Sequence, residues 1–179
     1  MARATAPTET FDALSLLARD HRQVDRLFDE FGSAAGQQLD PIARRICKML
    51  RMHTRIEEEI FYPAARSALA DADMVDRAQR EHETAKALIT RIEAMTSEQD
   101  GFKPAMLELA REVRQHIAEE ERELFEALRG ASLDLVVLGE ALAERRETLM
   151  EVMGLHRDDE LGAQPESGRG QVAEARQRT

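Results

Sequence analysis

Four histidines constrain this chain more than any other feature. Each falls inside the apolar stripe of a different helical segment, where a side chain leaves water on folding. The first segment, about Thr10 to Phe31, carries Phe11, Leu14, Leu17, His21, Val24, Phe28 and Phe31, the spacing of one buried helix face. Gly32 and Gly36 break it. The second starts near Asp40, a candidate N-cap, with Pro41 at the first helical position. Its stripe is Ile42, Ile46, Met49, His53, Ile56 or Glu57, and Ile60. Pro63 is expected to kink or end this helix, although the pattern continues to Leu69. A third segment, Ala72 to Met95, carries Val75, Ala78, His82, Ala85, Ile89 and Ile92. The fourth, Pro104 to Arg129, carries Met106, Leu109, Val113, His116, Glu120, Leu124 and Leu128, with Gly130 as a candidate C-cap.

Strand signals are nearly absent: no β-branched run is bounded by tight-turn pairs. Four long helical segments joined by short loops predict an all-α fold, an antiparallel up-down-up-down four-helix bundle over residues 10–130. An additional C-terminal helix, Leu133 to Met153 ending at Gly154, has no obvious place in the bundle core. Within 131–155 it could pack on the outside or make a homodimer contact. Residues 1–9 read as a flexible N-terminus and 156–179, with little to bury, as a disordered tail containing His156.

The 35 acidic and 25 basic residues give a formal net charge of −10. That balance argues against a nucleic-acid backbone, which is bound by Lys and Arg displacing counterions, and against an anionic membrane surface. No stretch approaches the roughly 18 apolar residues that span a bilayer. Met1 to Thr10 lacks the apolar core of a secretory signal. The single cysteine, Cys47, excludes an intramolecular disulfide and suits a reducing cytoplasm. It lies outside the apolar stripe and reads as a small helix residue.

A lone histidine on an apolar stripe is usually satisfied by a local hydrogen bond. Four of them, one per helix, are hard to explain so, because each buried imidazole needs partners for two ring nitrogens. Two His-x-x-x-Glu pairs sharpen the case. His53 with Glu57, and His116 with Glu120, each aim an imidazole and a carboxylate at one point, since positions four apart share a helix face. Two buried carboxylates repel unless a cation lies between them. The chain also repeats: Asp20-His21 resembles Glu81-His82 at an offset of 61, and His53 through Glu58 resembles His116 through Glu121 at 63. Phe61-Tyr62 then aligns with Leu124-Phe125. Two similar hairpins suggest a pseudo-two-fold ligand set of four His and two Glu for two metals, with the carboxylates as bridges. Mixed imidazole and carboxylate donors suit iron, then manganese, with zinc a further candidate. The methionines do not cluster as ligands and read as core filler.

Together Asp20-His21, His53-x-x-x-Glu57-Glu58 with Phe61-Tyr62-Pro63, Glu81-His82, and His116-x-x-x-Glu120-Glu121 with Leu124-Phe125 resemble the hemerythrin-like HHE cation-binding domain over roughly residues 11 to 130. The resemblance implies a four-helix bundle holding two iron ions, oxo- or hydroxo-bridged, on His21, His53, Glu57, His82, His116 and Glu120. Two departures stand out. The oxygen carriers of the family use a His-x-x-x-His pair on the third helix, whereas the positions four before and after His82 are Ala78 and Lys86. They also place an Asp five residues after the last-helix His, where this chain has Glu121. The chain thus groups with bacterial HHE-type proteins. One iron loses a ligand or takes Gln79, Tyr62 or water, and an open position favours chemistry over oxygen storage. Tyr62 follows Glu57 by five residues, roughly 140° round an α-helix, so it is expected off-face and near the site only as packing unless Pro63 distorts the backbone. Glu58 and Glu121 are candidates to hydrogen-bond the ligand imidazoles.

The implied function is binding or turnover of dioxygen, hydrogen peroxide or nitric oxide, with catalase-like peroxide disproportionation the most concrete version. A sensor of oxygen, nitric oxide or iron acting through a partner is the alternative. Iron donation for cluster repair ranks lowest.

Overall fold

The computed structural model describes residues 12–155. The first helix, α1 (Ala13–Ser33), opens on Asp12, whose side chain accepts the Ser15 N–H at 2.8 Å and so satisfies one of the helix's orphan donors. Gly36, at φ 57°, adopts the left-handed backbone that glycine tolerates and leads into a short 3-10 turn. Helix α2 runs over Leu39–Ile56, widens into a π turn at Glu57–Phe61 and resumes over Tyr62–Ala68. Helix α3 is Asp73–Glu93. Helix α4 repeats the plan of α2: Phe102–Glu119, a π turn at Glu120–Leu124, then Phe125–Arg129. Helix α5, Leu135–Met153, starts on Asp134, which accepts the N–H groups of Val136 and Val137, and stops at Gly154 in the left-handed conformation. Among the described residues there is no strand.

Side-chain pairings fix the course of the chain. His21 meets His53, and Arg51 meets Glu93 while Arg66 meets Asp76. Arg91 meets Glu108 while Arg77 meets Glu123, and Arg114 meets Asp25 while Glu121 meets His21. Between α2 and α3, α3 and α4, and α4 and α1, the later residue of one helix pairs with the earlier residue of the other, so these neighbours are antiparallel and α4 closes back on α1. That is the bundle expected from the short loops.

Three local expectations are corrected. Asp40 is not the N-cap of α2: the helix begins one residue earlier, and the Asp40 carboxylate instead accepts the backbone N–H and hydroxyl of Ser97. That contact ties the α3–α4 loop to the end of the bundle. Pro63 does not end α2, because the π turn restarts the helix at Tyr62 and puts the proline among its first positions, where a missing N–H is tolerated. Cys47 is buried rather than off the stripe, and burial pushes its thiol up to about 12, which leaves it inert. Gly130 does cap α4, but with φ −89° rather than a left-handed turn.

Helix α5 covers α1 and α2. It buries Leu138, Leu142, Leu149 and Met150, while Val136, Val137 and Val152 stay exposed. Polar ties hold it there: Arg145 to Glu59, Lys48 to the Met153 carbonyl, and the buried Arg146 to Asp20. No described helix is long and apolar enough to cross a membrane. His156, the first nine residues and the C-terminal stretch from 156 lie outside the described residues.

Candidate metal centre

The two π turns build the site. In a π turn the N–H bonds the carbonyl five residues back rather than four, inserting one extra residue into the helical turn. Tyr62 N–H bonds Glu57 O, and Phe125 N–H bonds Glu120 O. Residues five apart are thereby carried to one side, so Glu57 and Tyr62 both face inward, as do Glu120 and Phe125. Tyr62 is therefore not off-face: its hydroxyl donates to Glu120 Oε1 at 3.0 Å and lies 3.1 Å from His82 Nε2. Pro63 is not the general cause, because the π turn at Glu120 forms with no proline nearby. The signal that could have exposed Tyr62 was the repeat itself, which aligns it with Phe125, an aromatic at the same step of the second motif.

Four imidazoles and two carboxylates converge between the helices. His21 and His82 are 2% exposed, His53 and His116 7%, Glu57 0% and Glu120 3%. His21 Nε2 lies 3.0 Å from His53 Nε2, and His82 Nε2 lies 3.2 Å from His116 Nε2. Glu57 spans both pairs, 3.2 Å from His53 Nε2 and 3.3 Å from His82 Nε2. Glu120 spans the other two, 3.4 Å from His21 Nε2 and 4.0 Å from His116 Nε2. Two triads of closely set donors result, His21-His53-Glu57 and His82-His116-Glu57.

An outer layer of carboxylates orients the imidazoles, each reaching across to a neighbouring helix. His21 Nδ1 donates to Glu121 at 2.7 Å, His82 Nδ1 to Glu58 at 3.0 Å and His116 Nδ1 to Glu81 at 2.8 Å. Lys86, four residues after His82, holds Glu58 in turn. Glu81 was not singled out in the sequence; its signal was the acid-His dipeptide it shares with Asp20-His21. Gln79 is not brought to the site: its oxygen accepts from Arg66 at 2.7 Å on an exposed face.

This donor set fits a pair of metal ions. Where Nδ1 gives its proton to a carboxylate, as in His21, His82 and His116, a neutral imidazole turns its Nε2 lone pair inward. Paired lone pairs about 3 Å apart repel, but that is also the spacing of two nitrogens bound at about 2.1 Å to one ion at a right angle. Both Glu57 oxygens and Glu120 Oε2 are buried with no hydrogen-bond partner in the protein, a cost of roughly 1–3 kcal/mol each unless a cation meets them. The electrostatics carry the same strain. Burial pushes the Glu57 carboxyl up, but the His53 and His82 imidazoles outweigh it and hold the group well below its usual range. Burial and then the Glu57 charge push Glu120 well above it. Burial lowers His21, whereas His53, despite burial, is raised to about 10 by Glu57 and Asp20.

A cavity of about 20 Å³ opens against the four histidines, lined otherwise mainly by apolar residues including Val24, Leu50, Ala85, Val113 and Ile117. It has room for about one water-sized molecule. Neither Glu57, Glu120 nor Tyr62 lines it, so it meets the histidines away from the carboxylates and the tyrosine.

The chain is similar to known proteins. The family model described as Hemerythrin HHE cation binding domain matches residues 12–128. A protein of Nostoc sp. strain PCC 7120 named DNA nickase is 31% identical over 115 residues, 64% of this chain and 32% of that protein. The chain thus spans about a third of that relative's length. The crystal structure of a hemerythrin HHE cation-binding domain-containing protein from Mycobacterium kansasii superposes with a TM-score of 0.70 at 21% identity, covering 79% of this chain and 89% of that one, which shows a shared fold. With the family model spanning most of the described helices and the His/Glu triads lying inside it, this chain belongs to the hemerythrin HHE cation-binding domain family.

Proposed function

We propose that the chain holds two iron ions on His21, His53, Glu57, His82, His116 and Glu120 and turns over a small oxidant, with hydrogen peroxide the leading substrate. The observation that carries the reading is the buried set of four inward Nε2 atoms around two carboxylates whose oxygens lack protein partners. Two irons would relay two electrons from one peroxide, released as oxygen, to a second, reduced to water, with no protein nucleophile required. The chain's own residues do the rest. Glu58, Glu81 and Glu121 hold three imidazoles in one tautomer and orientation. The cavity beside the histidines, with room for about one water-sized molecule, offers a small oxidant an approach to them. Tyr62 keeps a proton on its hydroxyl: burial and the Glu120 and Glu57 charges push its pKa well up. It can therefore lend a hydrogen bond at the carboxylate side; replacing the histidine missing beside His82 as an oxygen donor would require a bound metal to displace that proton.

The small molecule is the proposed partner, in a reducing cytoplasm. The name of the Nostoc relative raises DNA as a substrate, but a net charge of −10 disfavours binding a phosphate backbone. Supercoiled plasmid incubated with the metal-loaded protein should stay unnicked.

The test is metal analysis with an optical spectrum of the as-isolated protein. About two irons per chain, a near-ultraviolet charge-transfer band, and oxygen release from peroxide that His116→Ala abolishes are expected. Folded protein from iron-supplemented growth with no stoichiometric metal overturns the reading. Bound iron with spectral changes on oxygen or nitric oxide, but no turnover, would point to the sensor instead.

A further inference from the structure

The pseudo-two-fold symmetry of the site fails at one place. Three of the four histidines have their outer nitrogen held by a carboxylate at 2.7–3.0 Å. By symmetry Asp20 should do this for His53, as Glu81 does for His116, because Asp20-His21 and Glu81-His82 are the matching dipeptides. Asp20 Oδ2 instead lies 3.9 Å from His53 Nδ1, and that nitrogen is buried without a hydrogen-bond partner. Asp20 is one methylene shorter than Glu81, and its carboxylate is also drawn away from outside the bundle. Arg146 of α5, 6% exposed, donates from Nε to the same Asp20 oxygen at 2.9 Å and rests its Nη1 against Met150 Sδ at 3.0 Å. Among the described residues Glu81 has no such ion pair, because α5 covers α1 and α2; Arg77 acts on it only through its charge.

We propose that Arg146 is a positioning residue of the metal centre: by holding Asp20 away from His53, it leaves the His21/His53 metal position more weakly bound than the His82/His116 position. An imidazole whose outer N–H is given to a carboxylate is a better donor and is fixed in orientation, and losing such a partner typically weakens metal binding about 10–100-fold. His53 lacks that support, so its position releases metal first. This inference rests on the two-metal reading above.

The experiment loads the full chain with ferrous iron without oxygen and follows its removal by a coloured chelator. Wild type should release two irons per chain in two phases with rates about tenfold or more apart. Arg146→Met frees Asp20 to close on His53, so the phases should draw together. Arg146→Lys, which keeps the cation, should restore the wild-type ratio. If Arg146→Met fails to fold, Arg146→Leu, which likewise removes both the donor and the charge, should shift the ratio the same way. Glu81→Gln, acting on His116, should instead speed the slow phase. Loss of stability alone would speed both phases and leave their ratio unchanged. Two irons released in a single phase from wild type, or a ratio unaltered in the uncharged Arg146 variants, overturns the inference while leaving the two-metal reading intact. Fewer than two irons on folded wild type overturns both.

Discussion

Glu57 and Glu120 look interchangeable by symmetry, yet in metal-free protein they should respond oppositely to the same substitution. Glu57 is fully buried and sits 3.2 Å and 3.3 Å from the Nε2 atoms of His53 and His82, which hold it ionised. Glu57→Gln removes one partner of a buried ion pair, a change that costs roughly 3–5 kcal/mol. The imidazoles can shed protons in response, so about 3 kcal/mol is expected, or a fall of about 6–12 °C in Tm for a domain of this size. Glu120 is driven toward its neutral acid by burial and by the Glu57 charge, and it accepts the Tyr62 hydroxyl at 3.0 Å. Glutamine imitates that neutral acid and keeps the accepting oxygen, so Glu120→Gln should cost less than about 1 kcal/mol. The assay is urea unfolding of chelator-treated wild type and both variants at pH 7, followed by helical circular dichroism. Both variants should bind less metal than wild type, so the asymmetry belongs to the metal-free state alone. Equal losses, or a larger loss in Glu120→Gln, would refute the assignment of the ionised and neutral carboxyls.

Other outcomes follow from single contacts. Tyr62→Phe should retain the helical spectrum, lose about 1–2 kcal/mol through the unmade hydrogen bond to Glu120, and change the optical spectrum of the iron-loaded protein. Ala85→Leu places extra carbons in the cavity of about 20 Å³ beside the histidines; azide binding should fall while iron content stays constant. Ser97→Ala tests the loop tie. Ser97 hydrogen bonds hold the Asp40 carboxyl below its usual range, so the tie stabilises above the unfolded value of about 3.9 and fades as pH falls through the lower folded value. The stability gap between Ser97→Ala and wild type should therefore be present at pH 7 and shrink below about pH 4.

The helical course, the bundle and the inward histidines were legible in the sequence because each rests on local periodicity. His21, His53, His82 and His116 occupy stripe positions, and a stripe must be buried wherever the helices pack. The i, i+4 relation of His53 to Glu57 and of His116 to Glu120 likewise needs only one helix. Tertiary structure decided what depends on more than one helix or on a departure from α geometry. The π turns at Glu57 and Glu120 replace four-residue by five-residue backbone bonds, a local cost that no propensity signals. They moved Tyr62 from the flank onto the site. The outer carboxylates act across helices, Glu58 on His82 and Glu121 on His21, so sequence neighbours gave no guide to their partners. Gln79 faced Arg66 for the same reason. Least legible was Arg146, 126 residues from Asp20. Whether α5 packs on the bundle is set by the fit of its buried face, and only that packing brings a buried cation to the one histidine left without its carboxylate.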